Sequence, residues 1–171
     1  EGPITGSYAI SEWLSDTLDE RPLQGFQPFP GDPAARAEAR RLVEWFHDKF
    51  HDEVTDYLVV EKVFRRFGPQ STSPDMEAMR AGHKNLRYHM AYIGHLTETR
   101  SWLAGDALSF ADLAAAAHLS ALDYLGEVPW EEHEAVKHWY ALVKSRPSFR
   151  PLLQDRVAGF IPAGTYADLD F

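Results

Sequence analysis

Residues 34–67 contain neither proline nor glycine and carry apolar side chains at helical spacing. These side chains are separated by three, four or seven positions and are Val43, Phe46, Phe50, Val54, Tyr57 and Phe64. Asp32 is the predicted N-cap, and Pro33 fits the first helical position. The pattern indicates a helix rather than a strand, and its length predicts a bend near residues 51–57.

Helical spacing recurs over most of the remaining chain. It predicts helices from Ser7 to Leu18, Met76 to Thr99, Phe110 to Leu125 and Glu131 to Lys144, with a short one around Phe149 to Leu153. Strand alternation of useful length and internal repeats are absent from the sequence. The prediction is an all-α bundle of five to six helices. Proline and glycine place a linker at residues 19–31, a helical domain at 32–153 and an extended tail at 154–171.

Composition excludes several classes of function. The 171 residues carry 26 Asp+Glu against 17 Lys+Arg, a net charge of −9, which disfavours nucleic acid as a partner. The longest apolar stretch, residues 103–125, is interrupted by charged residues, so no membrane span is predicted. Without cysteine there is no disulfide and no thiolate site, which fits a reducing, cytoplasmic location.

The helix predicted from Phe110 is apolar almost all round and is expected to be the buried central helix. Ser109 precedes it, and Asp112 lies three residues later. This spacing predicts a capping box, in which each side chain accepts a hydrogen bond from the backbone of the other. We therefore expect a structural rather than a catalytic role for Asp112.

Three segments resemble the cytosolic glutathione S-transferases. Trp102 to Asp106 followed by Ser109 to Asp112 resembles the turn and central helix of their C-terminal domain, and Ser145 to Phe149 resembles a later helix junction. Ile4 to Ile10 resembles the last turn and helix of their thioredoxin-like domain. The resemblance implies a GST C-terminal-like bundle preceded by one thioredoxin-like helix, residues 1–18. It also implies a cytoplasmic homodimer.

The resemblance implies a glutathione-binding role for Ser7. In the family, a serine at this turn binds the γ-glutamyl carboxylate of glutathione at a helix N-terminus, where unpaired N–H groups favour an anion. The preceding residue here is Gly6, which lacks the side chain usual at that position. A helix cap is the alternative role for Ser7. The catalytic residue of the family is expected upstream of Glu1, so no catalytic residue is assigned within this chain.

The C-terminal tail resembles that of bacterial GST-like proteins that bind the division protein FtsZ. Acidic and apolar residues mix in it, which suits a peptide that binds a groove with a basic rim. The candidate partner-binding residues are Tyr166, Asp168, Leu169, Asp170 and Phe171. The alternative is a tail that frays or folds back on its own bundle.

Histidines offer a weaker signal. His47 and His51 are four residues apart beside Asp48 and Asp52, a spacing that suits two metal ligands but fixes no third. We therefore predict a solvated face rather than a metal site there. His118, within the apolar central helix, is expected to be a hydrogen-bonded core histidine. His83, His89 and His95 do not share one helix face at i,i+4 spacing.

Three functions remain open at this point. The first is a GST-like protein, without established transferase activity, that binds FtsZ filaments through its tail and regulates division. The second is a transferase that conjugates glutathione to a small electrophile. In the family, the helix carrying Arg41, Trp45, Tyr57 and Phe64 lines the electrophile pocket and the dimer interface. The third is a plain dimerisation module.

Overall fold

The computed structural model describes residues 2–19, 25–67, 71–169 and 171, so Asp170 and residues 20–24 of the linker lie outside it. The described residues form six helical rods and no strand. They are α1 (Ser7–Asp19), α2 (residues 33–67), α3 (Met76–Thr99), α4 (Phe110–Tyr124), α5 (Glu134–Lys144) and the single turn α6 (Gly164–Ala167), with 3₁₀ turns at Trp130–Glu132 and Arg150–Gln154.

The rod α2 alternates between α- and π-helical hydrogen bonding. Pro33–Glu44 is α-helical, Trp45–Thr55 is π-helical, and α (Asp56–Val59), π (Val60–Phe64) and α (Arg65–Phe67) segments follow. Characteristic i→i+5 bonds join the N–H of Asp56 to the carbonyl of His51 and that of Arg65 to Val60. The region predicted to bend, residues 51–57, thus spans the end of the first π segment and the start of the α segment that follows it.

The helix α4 lies at the centre of the bundle, as its largely apolar composition predicts. Ten of its fifteen residues are buried, and it packs against α2, α5 and α6. On its own side of the bundle α3 packs against α2 and α5. Gly82 permits the close approach of α3, because a Cβ there would stand 2.9 Å from side-chain atoms of Tyr57 and Leu58.

Ser109 and Asp112 form a capping box at the start of α4. The carboxylate of Asp112 accepts from the N–H of Ser109 at 3.0 Å and from the N–H of Leu103 at 2.8 Å. It also accepts from the Ser109 hydroxyl and, through its other oxygen, from the indole N–H of Trp139, both at 3.0 Å. Burial raises the pKa of Asp112, and these four hydrogen bonds oppose that effect. One side chain thus joins α4, the preceding loop and α5.

The start of α1 differs from the sequence alternative in which Ser7 is the helix cap. The carbonyl of Gly6 accepts the first helical bond, from Ile10 at 3.0 Å, so Gly6 rather than Ser7 is the cap residue. Ser11 and Ser15 are buried, whereas Tyr8, Ile10 and Trp13 are 40–50% exposed. A bidentate ion pair between Glu12 and Arg40 connects α1 to α2.

The tail is not an extended peptide. After the 3₁₀ turn at Arg150–Gln154 the chain runs back over the bundle and forms α6, which packs on α4. The N–H of Ala163 donates to the carbonyl of Tyr124 at 3.0 Å. Similarly, α5 begins at Glu134 rather than Glu131, because Trp130–Glu132 form a separate turn.

Candidate functional site

The carboxyl end of α4 holds the C-terminal tail through Asp123, which is 1% exposed. One oxygen, Oδ1, accepts from the indole N–H of Trp130 and from the hydroxyl of Thr165, both at 2.9 Å. The other oxygen, Oδ2, accepts no hydrogen bond from the described residues and lies 3.5 Å from the ammonium of Lys144. A buried carboxylate therefore links the tail to the bundle.

Lys144 is a fully buried lysine near the end of α5. Its ammonium donates to the carbonyl of Thr165 at 2.7 Å and stands 4.0 Å from the centre of the Phe171 ring. Burial lowers the pKa of Lys144, and the negative charge of Asp123 opposes this shift. The lysine thus attaches two tail residues at once, one through a charged hydrogen bond and one through a cation–π contact.

Two of the candidate partner-binding residues face the protein's own bundle. Tyr166 is 4% exposed and donates its hydroxyl proton to the carbonyl of Leu152 at 2.8 Å. The ring of Phe171 makes edge contacts with Trp130 and Tyr140, at 5.0 and 6.1 Å between ring centres. In this conformation both side chains hold the tail on the bundle and are not directed at a partner.

Asp168 and Leu169 are placed differently. Asp168 is exposed, and its negative charge opposes the lowering of the Lys144 pKa by burial. Leu169 is half-buried and packs against the core. A groove of about 520 Å³ runs between the tail and the turn after α4. Glu131 and Asp168 give it an acidic lining, beside Pro129, Trp130 and Thr165. The surface that the tail offers is therefore acidic and held in one conformation.

An apolar cavity of about 400 Å³ lies on the other side of the tail. Val59 and Val63 of α2 and Ala117 and Ala121 of α4 form its floor, and Phe160 and Tyr166 close it from the tail. Its main polar group, the Tyr124 hydroxyl, is used internally: it accepts from the N–H of Val157 at 3.0 Å and donates to the carbonyl of Phe160 at 3.4 Å. The cavity suits an apolar ligand.

Ser7 lies in a separate pocket of about 340 Å³ between α1 and α2. The lining residues with it are Tyr8, Arg40, Val43, Glu44, His47 and Asp48. The guanidinium of Arg40 is already paired with Glu12, and the other polar side chains of the lining are those of Ser7, Tyr8, Glu44, His47 and Asp48. Ser7 is exposed at this position.

The family resemblance relates four residues of α2 to the pocket and the dimer interface. None of the four lines the apolar cavity or the Ser7 pocket. Arg41 pairs with Glu38 and donates to the Tyr92 hydroxyl at 2.6 Å, and Trp45 donates its indole N–H to His89. Tyr57 and Phe64 are exposed. Sequence reasoning missed Val59 and Val63, because small aliphatic residues on a helix carry no signal beyond core packing.

The structure places the histidines in different surroundings. His47, His51 and His118 come together between α2 and α4. His89 is fully buried and lies between Trp45 and Glu53, whereas His83 pairs with Glu127 and His95 is exposed. The predicted core histidine, His118, is half-buried and hydrogen-bonded.

The six-helix arrangement and the capped central helix define the class of protein. Residues 55–147 match the family described as glutathione S-transferase, C-terminal domain. The chain belongs to the glutathione S-transferase family. It is 51% identical over 168 residues to FtsZ-localized protein A of Caulobacter vibrioides (strain NA1000 / CB15N), a match that covers 98% of this chain and 71% of that protein.

Known structures agree with this assignment. FzlA from C. crescentus superposes with a TM-score of 0.91 at 49% identity, over 98% of this chain and 72% of that one. A glutathione S-transferase from Rhodospirillum rubrum F11 superposes with a TM-score of 0.90, also at 49% identity, over 98% and 73% of the two chains. None of the helices in the described ranges is both long and apolar enough to cross a membrane.

Proposed function

We propose that this protein is a GST-like FtsZ-binding protein that acts in cell division through its C-terminal tail surface. The observation that carries the proposal is the 51% identity to a protein named for its localisation with FtsZ, because that identity extends over 168 residues. A likeness of fold alone would not support it, since one fold serves many functions.

The geometry of the tail supports a preformed docking surface. Lys144, Asp123 and the aromatic cluster around Phe171 hold the tail in place, so a partner would not have to order it on binding. The exposed Asp168 and Glu131 border the adjoining groove and favour a basic partner surface. The tail residues are thereby divided between two roles: Tyr166 and Phe171 attach the tail, and Asp168 meets the partner.

A charge reversal tests this division. Asp168→Lys is expected to weaken binding to polymerised FtsZ by about tenfold or more, equivalent to about 1.4 kcal/mol, because it replaces an attractive pair by a repulsive one. Cosedimentation with FtsZ polymers at two salt concentrations measures the effect. Binding by the unmodified protein should also weaken as salt rises, since exposed charges are screened.

The matched control is Asp106→Lys, the same charge change at an exposed aspartate in the turn before α4. It should bind FtsZ as the unmodified protein does. Circular dichroism must show intact helices in both variants. Equal binding by Asp168→Lys and Asp106→Lys would remove the tail surface from the proposal, and lack of binding by the unmodified protein would remove FtsZ itself.

A second function, glutathione-dependent transfer to an apolar electrophile, is favoured by the pocket at Ser7 and the apolar cavity beside the tail. The R. rubrum structure is named a glutathione S-transferase. Under this hypothesis the Ser7 hydroxyl binds a carboxylate of glutathione. Ser7→Ala in the full-length protein should then weaken glutathione binding by about 1–3 kcal/mol, measured by calorimetry. Unchanged affinity would leave Ser7 without a role in binding.

Assembly and location follow from the family and are part of the proposal. We expect a cytoplasmic homodimer, as implied for GST-like proteins. Light scattering on the purified protein measures its mass in solution. A monomer at concentrations where FtsZ binding saturates would show that dimerisation is not needed for the proposed function.

A further inference from the structure

Three histidines from two helices meet between α2 and α4. His118 is 71 positions from His47 in the sequence. His47 and His51 lie in the π segment Trp45–Thr55, and His118 comes from the middle of α4. The ring centre of His118 is 5.5 Å from that of His47 and 5.9 Å from that of His51. The sequence spacing offered two candidate metal ligands, and folding places a third histidine beside them.

The separation of two ring nitrogens matches that of ligands on one ion. Nδ1 of His47 lies 3.3 Å from Nε2 of His118. Zinc–nitrogen bonds of about 2.0–2.1 Å in tetrahedral geometry place neighbouring ligand nitrogens about 3.3–3.4 Å apart. The same distance also fits a weak hydrogen bond between neutral rings, so the other features of the cluster must distinguish the two.

The first such feature is the partner of the second nitrogen of His118. Its Nδ1 lies 3.2 Å from the hydroxyl of Thr55. When Nδ1–H donates to this hydroxyl, Nε2 keeps its lone pair and faces His47. A hydrogen bond on the far nitrogen is the usual way in which a protein orients a histidine ligand.

The second feature is charge. Acidic side chains surround the cluster at Asp48, Asp52 and Asp56. They attract cations without occupying the two facing nitrogens.

The third feature is access. The side chain of His51 is 44% exposed, and its Nε2 lies 3.2 Å from Oδ1 of Asp56. The ligand atoms of His51 lie with those of Asp52 and Asp56 in the structure, so its ring would turn from Asp56 towards the half-buried His118 to complete the ligand set.

We propose that His47, His51 and His118 form a binding site for a divalent transition metal of the zinc type, with solvent as the fourth ligand. Three histidines and a solvent position form a recurrent zinc ligand set. This site is independent of the tail surface and of the proposed partner.

Titration of the chelator-treated protein with Co²⁺ tests the proposal. One ion per chain should bind and give the visible absorption of tetrahedral Co²⁺, and Zn²⁺ should abolish that absorption by displacement. His47→Gln and His118→Gln should lose this binding. His95→Gln, which alters an exposed histidine on α3, should retain it. Thr55→Val leaves all three ligands in place and should weaken Zn²⁺ affinity by about 10–100-fold.

Two results would overturn the proposal. One is Co²⁺ or Zn²⁺ binding that is equal in the unmodified protein and in folded His118→Gln. The other is binding that survives His118→Gln but is lost in Asp52→Asn/Asp56→Asn, which would place the ion on His51 and its neighbouring carboxylates. If His118→Gln fails to fold by circular dichroism, the Thr55→Val affinity decides, and an unchanged affinity rejects the site.

Discussion

The two ends of α4 each bury an aspartate, but the partners of the two carboxylates differ in kind. At the amino end, Asp112 receives four hydrogen bonds, all from uncharged donors. At the carboxyl end, Asp123 receives uncharged donors on one oxygen, while Lys144 stands opposite the other. One carboxylate is thus balanced by oriented dipoles, and the other depends partly on a buried cation.

The partners also come from different parts of the fold. Those of Asp112 are in the loop before α4 and in α5, so this carboxylate holds permanent parts of the bundle together. Those of Asp123 include Thr165 and, through Lys144, Phe171, so this carboxylate holds the tail. The comparison indicates that loss of Asp112 should affect the whole fold, whereas loss of the Lys144 pair should act first on the segment proposed to bind FtsZ.

The largest effect is expected for Asp112→Ala. Three N–H donors, on Leu103, Ser109 and Trp139, would remain buried without an acceptor, so the free energy of unfolding should fall by about 4–6 kcal/mol. Urea denaturation measures this loss. The matched control, Asp106→Ala at an exposed site, should change stability by no more than about 0.5 kcal/mol. A loss below about 1 kcal/mol for Asp112→Ala would contradict the role given to this carboxylate.

A smaller and more local effect is expected for Lys144→Met. The half-buried carbonyl of Thr165 would lose its donor and the Phe171 ring its cation–π contact, at a cost of about 1–3 kcal/mol. Hydrogen exchange should accelerate more at the amides of Ala163 and Tyr166 than in α3. Uniform acceleration across the bundle would instead place Lys144 in the same role as Asp112.

The smallest effect concerns alkaline pH. Because burial lowers the pKa of Lys144 below its ordinary value of 10.5, the unfolded chain binds more protons than the folded one in the window below that value. Lys144 should therefore increase the free energy of unfolding as the pH rises, by less than about 1.4 kcal/mol per pH unit. Denaturation between about pH 8 and pH 10 should show this contribution in the unmodified protein and not in Lys144→Met. Parallel pH profiles for the two proteins would contradict it.

Much of the fold follows from local patterns in the sequence. The all-α class and the central position of α4 were predictable, because apolar spacing and an alanine-rich, nearly uncharged segment are local properties. The capping box was predictable for the same reason, since Ser109 and Asp112 are only three residues apart.

The features that were missed depend on contacts between distant residues. A lysine at the end of an amphipathic helix is normally exposed, and only the fold brings Asp123 and Thr165 to Lys144. His118 likewise meets His47 across 71 positions. A tail folded back on the bundle was an alternative left open by the sequence, and only the fold shows the aromatic contacts of Tyr166 with α4 and of Phe171 with α5 that hold it there.

The π segments of α2 have a consequence for the way this helix changes by mutation. In a regular α-helix each residue advances the chain by about 100° of rotation, so an insertion or deletion would turn every later side chain away from its partners. A π turn accommodates one additional residue locally and leaves the following faces in phase. The helix α2 is thus able to change length by single residues near Trp45–Thr55 while Leu58 and Val59 stay directed at the bundle.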